Sequence, residues 1–127
     1  RLLVFALDGT AELPPTPGPM MVKPVDDPAF EIDAALAAAG EVHWSENCAW
    51  CHGGGGVASG GTPDLRASGI VFDLKAFSQI VSDGQRISRG MPKFPNLKAD
   101  DVMALQHYIR LKARASLNKK TEVAKAE

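Results

Sequence analysis

Apolar residues recur at helical spacing in three stretches of the chain. The first stretch follows Asp33 and runs through AALAAAGEVHWSENCAWCH. The second lies between Asp73 and Gly84, and the third starts near Ala99. Aspartate before such a run is a common helix N-cap, and glycine after it is a common stop. The predicted apolar faces carry, in chain order, Leu36, Gly40, Trp44 and Asn47, then Leu74, Phe77, Ile80 and Val81, then Val102, Leu105 and Ile109. The pattern predicts an all-α domain over residues 30–116.

Three further segments lie outside this predicted domain. RLLVFAL, followed by an Asp-Gly turn signal, predicts a remnant strand of a preceding domain over residues 1–13. Six of the nine prolines fall within residues 14–29 and predict an extended, semi-rigid linker, because proline fits neither helix interiors nor central strands. Residues 117–127 are polar, with few apolar anchors, and predict a frayed tail.

Composition and charge exclude some partners. The net charge of −1 argues against nucleic acid, which binds a basic face. No stretch approaches the roughly 20 apolar residues of a membrane span. Acids dominate residues 1–47 and bases dominate residues 103–127. This asymmetry is consistent either with steering of a partner or with ordinary solvated helix faces.

The candidate chemistry lies in CAWCHGGGG, which contains Cys48, Cys51 and His52. A redox-active dithiol normally starts a helix beside a parallel sheet, whereas this motif follows helix-forming residues. A zinc site needs a fourth ligand, and only His43 and His107 are left among the histidines. A disulfide within the motif would close a very short loop. Cys-x-x-Cys-His is the attachment signature of haem c, in which both thiols bond the porphyrin and the imidazole binds iron.

One methionine is a candidate for the second axial position of the iron. Met91 lies in SRGMPKFP, where glycine permits close backbone approach and two prolines stiffen the loop. Met20 and Met21 lie in the linker, and Met103 suits core filling. If both axial positions are filled, the iron has no open site and its function is electron transfer. An open distal site would instead favour a peroxidase-like or gas-binding protein.

TPDLR supplies candidate haem surroundings. The Pro63 carbonyl can accept the Nδ1–H of His52 and so fix its tautomer. Leu65 can form an apolar wall. Arg66 can pair with a haem propionate or remain a solvated loop charge, and the same two alternatives apply to Arg86 and Arg89.

The order of helix, CAWCH, TPDLR, RGMPKF and final helix resembles class I cytochrome c. More narrowly, CHGGGGVASGGTPDLRASG, FSQIVSDGQRISRGMPKFPNL and DDVMALQHYIRLKA resemble the C-terminal cytochrome domain of quinohaemoprotein alcohol dehydrogenases. RLLVFALDGTAELPP resembles the closing strand of the propeller that precedes that domain. The resemblance implies a class I cytochrome c fold preceded by the linker, with the first helix packed on the last near Gly40 and Tyr108.

The resemblance also implies the cofactor and its ligands. Cys48 and Cys51 would carry one covalent haem c, His52 and Met91 would bind its iron, and Pro63 would support His52. Pyrroloquinoline quinone (PQQ) and calcium would belong to a catalytic domain absent from this chain, which alone would not be an enzyme. That domain would donate electrons, an external soluble protein or membrane quinone chain would accept them, and the location would be periplasmic.

Overall fold

The computed structural model of the chain describes residues 7–10, 12, 22–57 and 61–126. Helices in this part are α1 (Ala34–Asn47), α2 (Ala49–His52), α3 (Leu74–Val81) and α4 (Ala99–Ala126). Short 3-10 turns occur at Gly54–Gly56, Leu65–Ala67, Gly69–Phe72 and Ile87–Arg89. The described residues contain no strand, so the predicted all-α class is confirmed. Most of the predicted strand at 1–13 and the first part of the linker, residues 14–21, lie outside the described residues.

The first helix begins as predicted but ends earlier. Asp33 caps α1 by accepting a hydrogen bond from the Leu36 N–H at 2.9 Å. The predicted helix continued without a break through His52, and this prediction is wrong at Cys48. That residue has φ −115° and ψ −33°, well away from the α-helical φ near −63°. The helix is therefore interrupted at Cys48, and the end of the Cys-x-x-Cys-His motif forms a separate short helix.

Close packing of α1 against α4 forms the centre of the fold. Gly40 is buried at the crossing, where a Cβ atom would lie 2.1 Å from the Ala104 carbonyl oxygen and 2.9 Å from the Cβ of Tyr108. Only glycine permits this approach. Trp44, one turn further along α1, is 1% exposed and packs 5.5 Å from the Tyr108 ring. The predicted contact near Gly40 and Tyr108 is confirmed.

The remaining core comes from α3 and α4. Asp73 caps α3 by accepting from the Ala76 N–H at 3.0 Å, and Gly84 follows the helix with φ +79°, as its role as a stop requires. Phe77 and Val81 are the buried residues of α3. The core cluster consists of Trp44, Val71, Phe77, Val81, Leu97, Val102, Leu105, Tyr108 and Ile109. The predicted apolar stripe of the last helix is therefore confirmed.

The end of the predicted linker is attached to the helical domain. We call residues 24–30 the strap. Within it, the Val25 N–H donates to the Arg66 carbonyl at 3.0 Å. Arg114 donates to both carboxylate oxygens of Asp26, at 2.7 and 3.1 Å, and to two strap carbonyls. The packed unit thus starts before the predicted boundary at residue 30.

The basic C-terminal end of the chain pairs with the acidic N-terminal end. Arg114 forms an ion pair with Asp26. Lys112 on α4 forms another with Glu41 on α1, with 3.2 Å between Nζ and Oε1. Part of the charge asymmetry is therefore satisfied within the fold. Helix α4 continues beyond residue 116, where the polar tail was predicted to start, as far as Ala126. In the described part of the chain, none of the helices has the length and apolar character that a membrane crossing requires.

Candidate functional site

The two cysteines and the histidine of the motif lie on one tight turn. The N–H groups of Cys51 and His52 both donate to the Cys48 carbonyl, at 3.2 and 3.0 Å. Gly53 ends the turn with φ +73°, where a side chain would be strained. Cys48 is half-buried and packs against the core cluster, whereas Cys51 is exposed.

His52 is buried and its ring orientation is fixed by the predicted partner. It is 7% exposed, and its Nδ1 lies 3.2 Å from the Pro63 carbonyl oxygen. Because a carbonyl oxygen only accepts hydrogen bonds, Nδ1 is the donor in this contact, and Nε2 is the ring nitrogen that could bind a metal. The Trp44 indole lies 6.1 Å from the imidazole and donates to the Gly53 carbonyl at 3.1 Å. The protein therefore fixes the orientation of the imidazole and leaves Nε2 as the candidate metal ligand.

The Met91 loop is held by backbone hydrogen bonds on both sides of the methionine. The Met91 N–H donates to the Arg86 carbonyl at 3.2 Å, and the Phe94 N–H donates to the Val81 carbonyl at 2.8 Å. Gly90 adopts a left-handed conformation with φ +88° and ends the 3-10 turn just before Met91. Met91 itself is half-buried and packs against the core cluster. The structure thus places a thioether at the same core that His52 adjoins.

Partly buried apolar side chains of the motif and of the Met91 loop offer surface that an apolar cofactor could cover. A set of partly buried apolar side chains packs on the core cluster without being enclosed by protein, namely Cys48, Ala49, Leu65, Leu74, Met91 and Phe94. Leu65 is among them, in agreement with its predicted role as a wall. Larger apolar side chains are exposed nearby in sequence, with Trp50 at 90% and Ile87 at 54%. A porphyrin would cover apolar surface that water otherwise contacts.

Arg66 has a partner that neither predicted alternative included. Its Nε and Nη2 donate to Asp64 at 3.0 and 2.6 Å, and its Nη1 donates to the Ser116 hydroxyl at 3.0 Å. The hydrogen bond from Arg66 to Asp64 raises the pKa of the guanidinium. Arg66 therefore ties the loop after Pro63 to α4, and a propionate would have to compete with Asp64. Arg89 is exposed, and Arg86 contributes its backbone carbonyl to the Met91 loop.

Sequence reasoning missed Arg110, which is 0% exposed on α4. Its Nη1 donates to the Val25 carbonyl at 3.0 Å and its Nη2 to the Leu65 carbonyl at 2.9 Å. Its guanidinium carbon also lies 4.4 Å from the centre of the Phe72 ring. Burial lowers the pKa of Arg110, opposed by the charge of Asp26. The available signal was the spacing of Gln106, Arg110 and Ala113, which places an arginine on the apolar side of α4.

The structure argues against the zinc and dithiol alternatives. Among the residues that the structure describes, no group of three or more His, Cys, Asp or Glu side chains could hold a metal ion. Burial raises the pKa of the Cys48 thiol to about 11, and the Cys51 thiol adds to the rise. A reactive dithiol needs the opposite shift. Two thiols and a buried imidazole remain, which is the donor set for a covalently attached haem.

A short helical domain with this turn, this histidine and this methionine loop is a c-type cytochrome of class I. Residues 35–109 match the family model described as Cytochrome C oxidase, cbb3-type, subunit III. The chain belongs to this cytochrome c family. Its cofactor is accordingly haem c, its Cys48 and Cys51 fit the attachment motif, and its function is electron transfer. The predictions of fold, cofactor and electron transfer are confirmed at this level.

Individual curated proteins are also similar to this chain. The chain is 40% identical over 111 residues to Quinohemoprotein alcohol dehydrogenase ADH IIB of Pseudomonas putida, covering 86% of this chain and 16% of that protein. It is 40% identical over 115 residues to Lupanine 17-hydroxylase [cytochrome c] of Pseudomonas sp, covering 89% and 16%. It is 29% identical over 125 residues to Alcohol dehydrogenase (quinone), dehydrogenase subunit, of Acetobacter aceti, covering 98% and 17%. The chain spans about a sixth of the length of these relatives.

Proposed function

We propose that this chain is the cytochrome domain of a PQQ-dependent alcohol dehydrogenase, in which it takes electrons from the reduced quinone. The support is the likeness to relatives named quinohemoprotein alcohol dehydrogenase and alcohol dehydrogenase (quinone), over most of this chain. PQQ and calcium belong to the catalytic domain of such an enzyme. PQQ would supply two electrons, and one haem c would carry them one at a time.

Within this proposal, each site residue has one task. Cys48 and Cys51 would hold the haem through thioether bonds, and His52 and Met91 would bind its iron. Haem bound in this way gains and loses a single electron, and a methionine ligand raises its reduction potential. Pro63 orients His52 through its carbonyl, Leu65 covers the ring, and Arg66 braces the loop that carries both. The observation that carries the proposal is the buried His52, with its Nδ1 held by Pro63 and its Nε2 available.

The proposed surroundings of the domain follow from the same likeness. The donor is the PQQ dehydrogenase domain, and the acceptor is an external soluble redox protein or a membrane quinone chain. The location is the periplasm, where covalent haem attachment and PQQ enzymes are found together. The net charge of −1 agrees with a protein partner rather than a nucleic acid.

A visible spectrum of the protein, produced in a host that attaches haem c, tests the proposal. We expect a low-spin spectrum in both oxidation states and a methionine-to-iron charge-transfer band in the oxidised state. The pigment should stay with the polypeptide when the protein is denatured in acidified organic solvent. Reduced PQQ dehydrogenase domain from a relative should then reduce it in a stopped-flow experiment. Release of the pigment, or rapid carbon monoxide binding at neutral pH, would contradict the proposed ligation.

A further inference from the structure

Arg110 is a buried cation at the junction of the strap, α4 and the loop that contains Leu65. It is fully buried, yet it takes part in none of the ion pairs formed by the described residues. Its Nε has no hydrogen-bond partner among them either. Its other two nitrogens reach carbonyls of two different segments. Burying a charge without a direct ion pair is unfavourable, and the charge of Asp26 offsets this only in part, so an apolar residue would serve ordinary packing better at this position.

The bonds of Arg110 join the strap to the loop that follows Pro63. Nη1 bonds the Val25 carbonyl, while Nη2 bonds the Leu65 carbonyl and approaches the Arg66 carbonyl at 3.5 Å. The Val25 N–H adds a direct hydrogen bond between the strap and this loop by donating to the Arg66 carbonyl at 3.0 Å. One guanidinium thus fixes the distance between a segment at the edge of the domain and the loop beside the site. Arginine suits this task because its donors are held in a rigid planar fork.

The same loop carries the hydrogen-bond partner of His52. Pro63 lies two residues before Leu65, and its carbonyl oxygen is 3.2 Å from Nδ1 of His52. The position of that carbonyl depends on how the residues after it are held. A partner at Nδ1 increases the electron donation of a metal-bound imidazole, and loss of such a partner weakens it. The contacts of Arg110 are therefore connected to the properties of His52 through one short stretch of backbone.

We propose that Arg110 is a positioning residue for His52. By holding the Pro63 carbonyl against Nδ1, Arg110 sets the reduction potential of the domain. The inference relies on the proposed axial role of His52. Loss of Arg110 lengthens the hydrogen bond between Pro63 and His52. The imidazole then donates less charge to ferric iron, so the reduction potential rises.

Arg114 provides a matched control one helical turn further along α4. It also holds the strap, through Asp26 and the carbonyls of Asp27 and Phe30. All of these hydrogen bonds go to the strap, so replacing Arg114 loosens the strap without removing a hydrogen bond to the loop at Pro63 and Leu65. Comparing the two arginines separates an effect on His52 from a general loosening of the strap.

The experiment compares Arg110→Met and Arg114→Met in the haem-loaded chain. The first readout is the midpoint potential, and the second is the NMR signal of the His52 Nδ1–H. We expect the native chain and the Arg114→Met variant to share one potential, while Arg110→Met is shifted upward and its Nδ1–H exchanges faster. Amide exchange of Ser68, whose N–H bonds the Leu65 carbonyl, should speed up about tenfold in the Arg110 variant alone.

Arg110→Lys keeps the charge but loses the fork, and it serves if the methionine variant does not fold. It should show the same changes in smaller degree. Equal potentials in native, Arg110 and Arg114 proteins would overturn the proposal, as would equal shifts in both variants. Failure of the proposed function looks different, because the unmutated chain would then lack the low-spin histidine-ligated spectrum.

Discussion

The His52 side and the Met91 side of the site are built in different ways. His52 follows helix α1 within a turn of α2, is 7% exposed and has a hydrogen-bond partner at Nδ1. Met91 lies in a loop, is only half-buried, and is positioned by backbone bonds on either side. A short motif and a helix crossing thus position one proposed ligand, whereas a loop that follows the 3-10 turn Ile87–Arg89 positions the other.

This difference indicates how the site tolerates change. His52 lies within five residues of both cysteines along the chain. Its side chain is buried, and its Nδ1 contacts the Pro63 carbonyl oxygen. The Met91 side chain packs on the core through apolar contact, which is less directional than a hydrogen bond. We therefore expect changes on the His52 side to affect haem attachment and folding together. Changes on the Met91 side should affect the spectrum and the potential while leaving the fold in place.

His52→Ala is expected to have the largest effect. It removes the buried imidazole and leaves the Pro63 carbonyl without its partner. The chain also loses the stabilisation that a ligated cofactor contributes to the native state. We expect no low-spin spectrum and a loss of several kcal/mol, of the order seen for deleted buried side chains, in chemical unfolding.

His107→Ala is the matched control for that variant. His107 lies on α4, and its Nδ1 accepts a hydrogen bond from the Asp33 N–H at 3.0 Å, away from the cysteines. Its removal should weaken the start of α1 slightly and leave the spectrum unchanged. A native spectrum in His52→Ala, or its loss in His107→Ala, would contradict the assignment of the axial histidine.

Gly40→Ala tests whether the His52 side depends on the helix crossing. The added Cβ would lie 2.1 Å from the Ala104 carbonyl oxygen, so α1 and α4 must move apart. Overpacking of this kind costs about 1–3 kcal/mol, measurable as a lower urea midpoint. Gly69→Ala is the control, because a Cβ at Gly69 meets nothing within 4 Å. Equal stability of the two variants would show that the crossing is looser than described.

Met91→Ala tests the other side of the site. We expect haem to remain attached and the far-UV circular dichroism to stay native, while the charge-transfer band disappears and the potential falls. Ferrous protein should then bind carbon monoxide. Met103→Ala on α4 is the control, since Met103 is a half-buried helix residue outside the loop. An unchanged spectrum in Met91→Ala would mean that another residue fills the second axial position.

Short-range features of the fold and the site could be predicted from the sequence. The Asp33 and Asp73 caps, the α3 stripe and the Pro63 partner of His52 each depend on residues a few positions apart or on a known motif. The break at Cys48 could not be predicted, because alanine-rich flanks favour a continuous helix and only the backbone angles of one residue interrupt it.

Polar contacts of the arginines were the main failure of sequence reasoning. Neither alternative for Arg66 included Asp64, which lies two residues away and competes with a propionate for the same donors. Residues 24–29 of the strap were assigned to the linker because six of the nine prolines fall within residues 14–29. Its contacts with Arg110 and Arg114 join residues more than eighty positions apart, which no local pattern reveals.

Acidification should release the strap before it affects either side of the site, and this is the smallest effect we predict. Hydrogen bonds from Arg114 lower the pKa of Asp26 below its ordinary value of 3.8, although partial burial opposes them. Because the folded pKa is the lower one, the charged carboxylate stabilises the fold above pH 3.8. This contribution is lost as the pH falls through the folded pKa. For a partly exposed pair it amounts to about 1 kcal/mol or less.

Thermal unfolding of Asp26→Asn and native protein should therefore differ near neutral pH and converge at low pH. Asp27→Asn keeps the pair with Arg114 and should retain the native pH profile, and a difference between Asp26→Asn and native protein that persists in strong acid would contradict the role of Asp26.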